Sequence, residues 1–276
     1  MTARVSIFIQ TLNEEQNLPR CLECFGWSDD IVVLDSYSED GTERIARSFG
    51  ARWVQHEYRG RAAHQNWAMQ SIEFKHPWVY YSDADEVVPA ALAEEIVAVT
   101  SDDARPEVAY QVRRRDYFMG RWVKHSSQYP VWFTRLFKPA RIRWSRKANP
   151  VAHVDGPVGR LENDFLHCPF SKGIADWVER HNRYSTYEAE ETLRSLSSGD
   201  LGPAELLSRD VSRRRQALKR LSFRLPFRPL LRFLYVYVLR GGFLDGLPGF
   251  HHSLLISFYE YLTVLKASEL KRGGGL

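Results

Sequence analysis

Three carboxylates fall within four residues at Asp83-Ala84-Asp85-Glu86, directly after the apolar run Trp78–Ser82. Such groups repel one another unless something positive compensates them. A strand that ends in them suits a hard divalent cation that also holds phosphate oxygens. If strand geometry continues, Asp83 and Asp85 point to the same side. Glu86 reads as an acid in the first turn of the helix that follows. A second polar cluster is Asp35-Ser-Tyr-Ser-Glu-Asp-Gly-Thr42. A carboxylate at a strand tip can accept from a base N–H or a ribose hydroxyl, and a Ser/Gly-rich turn lets backbone approach a ligand. Asp40 or Thr42 is the expected N-cap of the next helix. After the first apolar run stands Thr11-Leu-Asn13-Glu14-Glu15, with no glycine-rich fingerprint, which disfavours nicotinamide and flavin chemistry.

These residues need elements to position them. Val5–Gln10 and Ile31–Asp35 are short apolar runs that read as buried strands, Arg52–Gln55 reads as a short third strand and Trp78–Ser82 as a fourth. Between them Glu14–Phe25, Gly41–Phe49 and Arg61–Ile72 read as helices, and Pro89 opens another through Val99. Alternating β and α units predict a parallel sheet with right-handed crossovers. Ligands of such sheets sit outside the carboxyl ends of the strands. Thr11–Glu14, Asp35–Ser38 and Asp83–Glu86 would then converge on one edge.

The 276 residues allow about two domains. Composition is globular, with 44% hydrophobic and 26% charged residues, which excludes wholesale disorder. Net charge is +4 and the pI near 8.9, too weak a bias to imply nucleic acid. Cys21, Cys24 and Cys168 are too few for a disulfide scaffold and fit a reducing compartment. Cys21-x-x-Cys24 lies in a predicted helix with no second pair, so a zinc or redox role is disfavoured. The start MTARVSIFIQ lacks the apolar region of a signal peptide, and no apolar window spans a bilayer. No internal repeat is present.

From 105 to 170 the pattern changes. Val108–Arg113 and Val131–Phe137 read as strands, and residues 111–147 carry eleven Arg or Lys against one acid, Asp116. That bias predicts a phosphate-bearing ligand or an anionic surface, with a solvated charged face as the plain alternative. Trp122, Trp132 and Trp144 are candidate rings for sugar stacking, which the resemblance given below would make acceptor platforms, or ordinary packing. The last third reads as helical, with helices at Gly173–Ser195 and Pro203–Leu221 and apolar runs at Leu230–Leu239 and Leu254–Leu265. Eight basic residues and no acid lie between Arg213 and Arg232. Basic residues beside short aromatic-apolar helices suit an anionic leaflet, and the alternative is a helical layer on the core. The expected location is cytoplasmic and peripheral on the inner face of the plasma membrane.

Together these motifs resemble the family 2 glycosyltransferases. Ser6-Ile-Phe-Ile-Gln-Thr-Leu-Asn13-Glu14-Glu15 looks like that family's opening strand and Asn-Glu loop. Asp35-Ser36-Tyr-Ser38-Glu-Asp40-Gly-Thr42 looks like its Asp-x-x-Ser-x-Asp-x-Thr motif, and Tyr80-Tyr-Ser-Asp83-Ala84-Asp85-Glu86 like its metal motif. Arg59-Gly60-Arg61 through Gln65-Asn66-Trp-Ala68 matches a segment between them. More narrowly the chain is similar to the bacterial lipopolysaccharide-core β-1,4-glucosyltransferases, through His167, Asn182-Arg-Tyr184-Ser185 and Gly241-Gly-Phe-Leu-Asp245-Gly246 with Gly249-Phe250.

The resemblance implies a GT-A (Rossmann-like) α/β fold, with a mostly parallel sheet, flanking helices and a helical, amphipathic C-terminal region. It implies a catalytic domain over 1–170, with a nucleotide-sugar half (1–100) and an acceptor half (101–170), and a helical region over 171–276. It implies inverting, metal-dependent transfer of a hexose from a nucleotide-sugar, UDP-glucose favoured, to a cell-envelope glycan or glycolipid. Thr11, Asn13, Glu14, Asp35, Ser36, Arg61, Gln65, Asn66, Asp83 and Ala84 would line the donor site. Asp85 would bind Mg²⁺ or Mn²⁺, with His153 and His167 as helpers or as structural histidines. Inversion needs a general base on the opposite face of the sugar. Asp155 is the first choice, with Glu162 and Asp164 as alternates. Two other readings remain: a non-catalytic nucleotide-binding or scaffolding protein of this fold, and a nucleotidyltransferase. The latter class would need a glycine-rich basic loop after the first strand, which Thr11–Pro19 lacks.

Overall fold

In a computed structural model, residues 3–145, 150–197 and 227–273 are described. The helix expected at Pro203–Leu221, two of the eleven central basic residues (Arg146, Lys147) and most of the Arg213–Arg232 basic run lie outside them. The chain divides into two compact units. One holds Met1–Trp122 with Tyr129–Gly173, and the other Val123–Gln128 with Ile174–Leu276.

The first unit is a nine-stranded sheet among the described residues. Its strands are β1 (Val5–Thr11), β2 (Ile31–Asp35), β3 (Arg52–Gln55), β4 (Trp78–Asp83), β5 (Glu86–Val87), β6 (Ala109–Phe118), β7 (Arg121–Trp122), β8 (Trp132–Phe137) and β11 (Val158–His167). Their order is β3-β2-β1-β4-β8-β6-β11-β5, with β7 paired to β6. β3, β2, β1 and β4 run parallel, β8 runs against β4 and β6, and β11 is parallel to β6. The carboxyl ends of β1, β2, β4, β6 and β11 therefore open at one edge. A separate hairpin pairs β9 (Ile142–Ser145) with β10 (Val151–Val154).

Period-two alternation explains why the apolar runs are continuous. On β1, Val5, Ile7 and Ile9 enter one core, covered by α1 (Leu18–Glu23), α2 (Thr42–Ser48) and α4 (Ala90–Ser101). Phe8 enters the other, with Val32, Leu34 and Tyr81, under α3 (Arg61–Ser71) and the β9–β10 hairpin. Both faces of the strands are buried.

Several boundaries differ from expectation for identifiable reasons. The helix expected from Glu14 begins at Leu18. The amides of Asn13, Glu14 and Glu15 are spent on Ser38 Oγ, Thr42 Oγ1 and Asp40 Oδ2 instead. β6 runs on through Arg113-Arg-Arg-Asp116, because alternate side chains find opposite charges on the two faces of the strand. β11 was not anticipated; its polar run Glu162-Asn-Asp164 is tied to Glu95 of α4 and to β6. Glu86 is not in a helical first turn but in β5, opposite His167. Cys21 is buried in the core, and Cys24 Sγ donates to the Cys21 carbonyl, so this pair is local packing.

At the opposite edge, buried Asp30 accepts from Ser6 Oγ (2.5 Å), Arg52 Nε (2.9 Å) and the Lys75 amide (2.9 Å). It joins β1, the entry to β2, β3 and the approach to β4.

In the second unit α5 (Gly173–Ser197), α6 (Arg228–Leu234) and α7 (Gly246–Gly273) are helices, joined in part by a π turn at Tyr235–Leu239 and a 3₁₀ turn at Gly242–Asp245. Asp245 is buried and accepts from the amides of His125 (3.0 Å) and Ser126 (2.8 Å). A Cβ on Gly249 would lie 2.1 Å from the Gly242 carbonyl, so no side chain fits there. Lys266 Nζ donates to Asn182 Oδ1 (2.7 Å) and Thr186 Oγ1 (2.9 Å). The glycine-rich and Asn182 motifs thus build this unit. No helix among the described residues is long and apolar enough to cross a membrane.

Replacing Asp30 by Ala strands three donors and is expected to cost about 2–4 kcal/mol in urea unfolding. His181 stacks on Trp177 at 3.6 Å, and its Nδ1–H donates to the Trp177 carbonyl at 2.8 Å. Burial pushes its pKa down to about 4. Below about 6.5 the unfolded chain takes a proton that the folded state refuses, so stability falls as pH drops from there toward 4. His181→Phe should therefore lose less thermal stability than the wild type between neutral pH and about pH 5, read as unfolding midpoints.

Candidate active site

The β1–α1 and β2–α2 loops are locked together at the sheet edge. Asp35 is fully buried; it accepts from Thr11 Oγ1 (2.9 Å), the Ser38 amide (2.7 Å) and Ser38 Oγ (2.5 Å). The Ser36 amide donates to the Thr11 carbonyl at 3.0 Å. Asn13, at φ +55°, accepts the Glu39 amide on Oδ1. Glu14 takes Lys172 Nζ (2.7 Å) and Asn17 Nδ2 (2.7 Å). Burial raises the Glu14 pKa despite the lysine.

Asp83 and Asp85 do not point to one side. The strand stops at Asp83, and the turn at Ala84-Asp85 parts them. Asp83 accepts from Arg61 (2.5 Å), Arg135 (3.0 Å) and Tyr81 Oη (2.5 Å). Buried Arg135 also pairs with buried Glu86. Despite burial, the two guanidiniums hold the Asp83 carboxyl well below the usual range, while burial pushes Glu86 up against the pull of Arg135. Asp85 lies 3.4 Å from His167 Nε2, and His167 Nδ1 is 2.6 Å from Asp116 Oδ1. Burial favours the neutral ring, but the Asp85 charge and the bonds to Asp116 and Asp85 push His167 up to about 9. Arg135, Tyr81, Asp116 and Lys172 were missed in the sequence. Arg135 entered only as one of eleven basic residues, Asp116 only as the lone acid among them, and Tyr81 only as a letter of the motif before Asp83.

Above α3, several polar atoms are buried without a hydrogen-bond partner among the described residues: both ring nitrogens of His64, Gln65 Oε1, His56 Nδ1 and Gln10 Nε2. Burial pushes His64 down to about 4. Asn66 is committed elsewhere, since its amide exchanges two 2.8 Å bonds with the Trp144 backbone on β9. Ala84 is in the core.

The structure does not bring Asp155, His153 or Trp144 to this edge. Asp155 precedes β11, whose first residue Val158 pairs with Ala109 at the start of β6, so it stands at the opposite edge. Its side chain is 86% exposed and faces Arg141 at 3.6 Å. His153 is on β10, 2.6 Å from Ser145 Oγ, away from Asp85 in the separate hairpin. Trp144 is 8% exposed and packs edge-on against Phe137, leaving no face for a sugar. Glu162 and Asp164 are on β11, where Asp164 accepts from Arg113 Nε and Arg115 Nε, both at 2.6 Å. Trp122 and Trp132 border that pair on β7 and β8.

The donor set Asp85–His167 fits a divalent cation. One carboxylate and one imidazole adjoin, and Asp116 fixes the ring, as outer carboxylates do for metal-bound histidines. Among the described residues no three His, Cys, Asp or Glu side chains form a closed cage. Two protein donors are what a cation shared with phosphate oxygens requires.

The sequence matches the Glycosyl transferase family 2 model over residues 6–163, more than half of the chain. It is similar to the lipopolysaccharide core biosynthesis glycosyltransferase LpsC of Rhizobium meliloti, 28% identical over 272 residues, covering 95% of this chain and 91% of LpsC. It is also similar to the uncharacterized glycosyltransferase RP128 of Rickettsia prowazekii, 24% identical over 97% of this chain and 87% of that one. Among solved structures, S. aureus TarS 1–349 superposes with a TM-score of 0.43 at 12% identity, covering 98% and 91% of the two chains. With its mostly parallel sheet and polar strand ends at one edge, the chain belongs to glycosyltransferase family 2.

Proposed function

We propose that the enzyme transfers a hexose, with inversion, from a nucleotide diphosphate sugar to a hydroxyl of a cell-envelope glycan or glycolipid. UDP-glucose is the favoured donor, and a lipopolysaccharide core the favoured acceptor, by likeness to LpsC. The observation that carries this reading is Asp85 beside His167, with Asp116 behind the ring, at the end of interlocked loops. The unpartnered atoms of His64, Gln65 and Gln10 support a polar ligand between α3 and the strand ends. Asp35 orders the Thr11 and Ser38 loops around that ligand.

Asp85 and His167 would hold the cation, and the imidazole makes Mn²⁺ a better fit than Mg²⁺. A bound cation supplies charge stabilisation for the departing diphosphate. Arg61 and Arg135 keep Asp83 ionised, so it can accept hydroxyls of the ribose or sugar. The acceptor proton goes to an acid of β11. Both oxygens of Asp164 are engaged by guanidiniums, so exposed Glu162 is the more accessible of the two to an acceptor hydroxyl.

Nucleotide-sugar turnover should be abolished by EDTA and restored by Mn²⁺. Asp85→Asn should lower it by about 10²-fold or more. Asp155→Asn, a surface change, should stay within about twofold of wild type. Full turnover in EDTA would end the metal reading, and loss of activity in Asp155→Asn would restore that residue as the base.

The membrane partner rests on the second unit. Phe227, Leu230, Leu231, Leu234, Leu239 and Leu247 are exposed large apolar side chains, and Arg232 and Arg240 lie among them in the chain. Apolar groups with interspersed cations suit the interface of an anionic leaflet. Co-sedimentation with anionic vesicles at low salt, reduced in Leu239→Asp, is the expected result. Equal recovery with and without vesicles would exclude it.

A further inference from the structure

Arg113 and Arg115 alternate on β6 with Arg114 and Asp116, so they face the other side of the strand from the Asp116–His167 pair. On that side a ladder of planes is assembled. Arg160 lies 4.8 Å from the Trp132 ring centre, and Arg113 lies 5.3 Å from the same ring. Arg113 is also 6.0 Å from Tyr129, which meets Trp122 edge-on, and Arg115 lies 4.7 Å from Trp122. The rings expected to stack on a sugar therefore carry guanidiniums, and they fix the planes of those guanidiniums.

Asp164, 1% exposed, accepts one Nε–H from each of Arg113 and Arg115, and Tyr129 Oη donates to it at 2.9 Å. A guanidinium has five N–H donors, so most of this supply is unspent. Arg113 uses one more on the Glu162 carbonyl. The terminal nitrogens of Arg115 have no partner among the described residues, and the side chain is 39% exposed. Arg160 is exposed, with a long 3.4 Å bond to Gln111. Two guanidiniums thus share one carboxylate, and a third stands over Trp132 with no acid of its own among the described residues. Such an arrangement suits a bidentate anion. Its strands, β6, β8 and β11, reach the same sheet edge as Asp83 and Asp85.

We propose that this ladder is the acceptor subsite and that it selects an anionic sugar, one bearing a phosphate monoester or a carboxylate. The proposal rests on the transferase reading, because it names the acceptor of that reaction. Arg115 and Arg160 grip the anion. Trp122 and Trp132 are positioning residues, and Asp164 aligns the forks.

The test reads binding without the donor. Indole ¹H–¹⁵N signals of the whole chain in EDTA are titrated with glucose 6-phosphate, glucuronate and glucose, with Trp122→Phe and Trp132→Phe as assignments. The two anionic sugars should shift the Trp122 and Trp132 signals and glucose should not. The stronger of the two names the anionic group. Arg115→Gln with Arg160→Gln should weaken that binding about tenfold or more, and exposed Arg160→Gln alone provides a variant that keeps the fold. Equal response to glucose, no response at either indole, or anion binding unchanged in the double variant would overturn the proposal and leave the ladder as packing. If anion binding holds while no nucleotide-sugar is turned over, the transferase reading falls and the anion site stands. If turnover holds and anion binding is absent, this inference alone falls.

Discussion

Mutual repulsion of carboxylates at one sheet edge is the constraint that the surrounding structure answers. Asp83, Asp85, Glu86 and Asp116 would not stay ionised together in a partly dry site without matching cations. Arg135 enters from β8 to meet Asp83 and Glu86, Arg61 comes from the start of α3, and His167 arrives at the end of β11. These three cations come from three distant parts of the chain. The antiparallel insertion of β8 between β4 and β6 is what brings the first and last of them within reach of the β4 end.

The same economy governs the β1–α1 and β2–α2 loops. A buried carboxylate that accepts three bonds, as Asp35 does, is costly to leave unmade and so holds its neighbours in place. The result is a rigid edge rather than two mobile loops. Cost and function coincide where atoms stay unpaired. His64 and Gln65 bury polar atoms with no partner among the described residues, and a structure retains such atoms when a ligand can satisfy them.

Much of this was legible in the residues. The strands β1, β2 and β4 announce themselves as apolar runs because both their faces are buried, and Arg52–Gln55 and Ile31–Asp35 match residue for residue. The polar strand ends at Thr11, Asp35 and Asp83 follow from that pattern. Long-range pairing was not legible. Arg135 and Lys172 look like any surface cation until the sheet brings them to Glu86 and Glu14. Trp144 was read as a platform, yet an aromatic on a hairpin that covers a core is itself core. Asp155 followed a motif-like spacing, but β11 runs parallel to β6 and carries its start to the far edge. Polar β11 hid because its charges are satisfied by neighbouring elements rather than by water.

One strand, β6, carries residues of both proposed sites. Its Arg114 and Asp116 belong to the cation side, and its Arg113 and Arg115 to the aromatic ladder. The pleat is the only partition between them, so each site can change by point substitution without touching the other. Length is a different matter. A single inserted residue in β6 would exchange the two sets of side chains across the sheet. Both sites would be lost together, and the strand is bound to its residue count more tightly than to most of its residues.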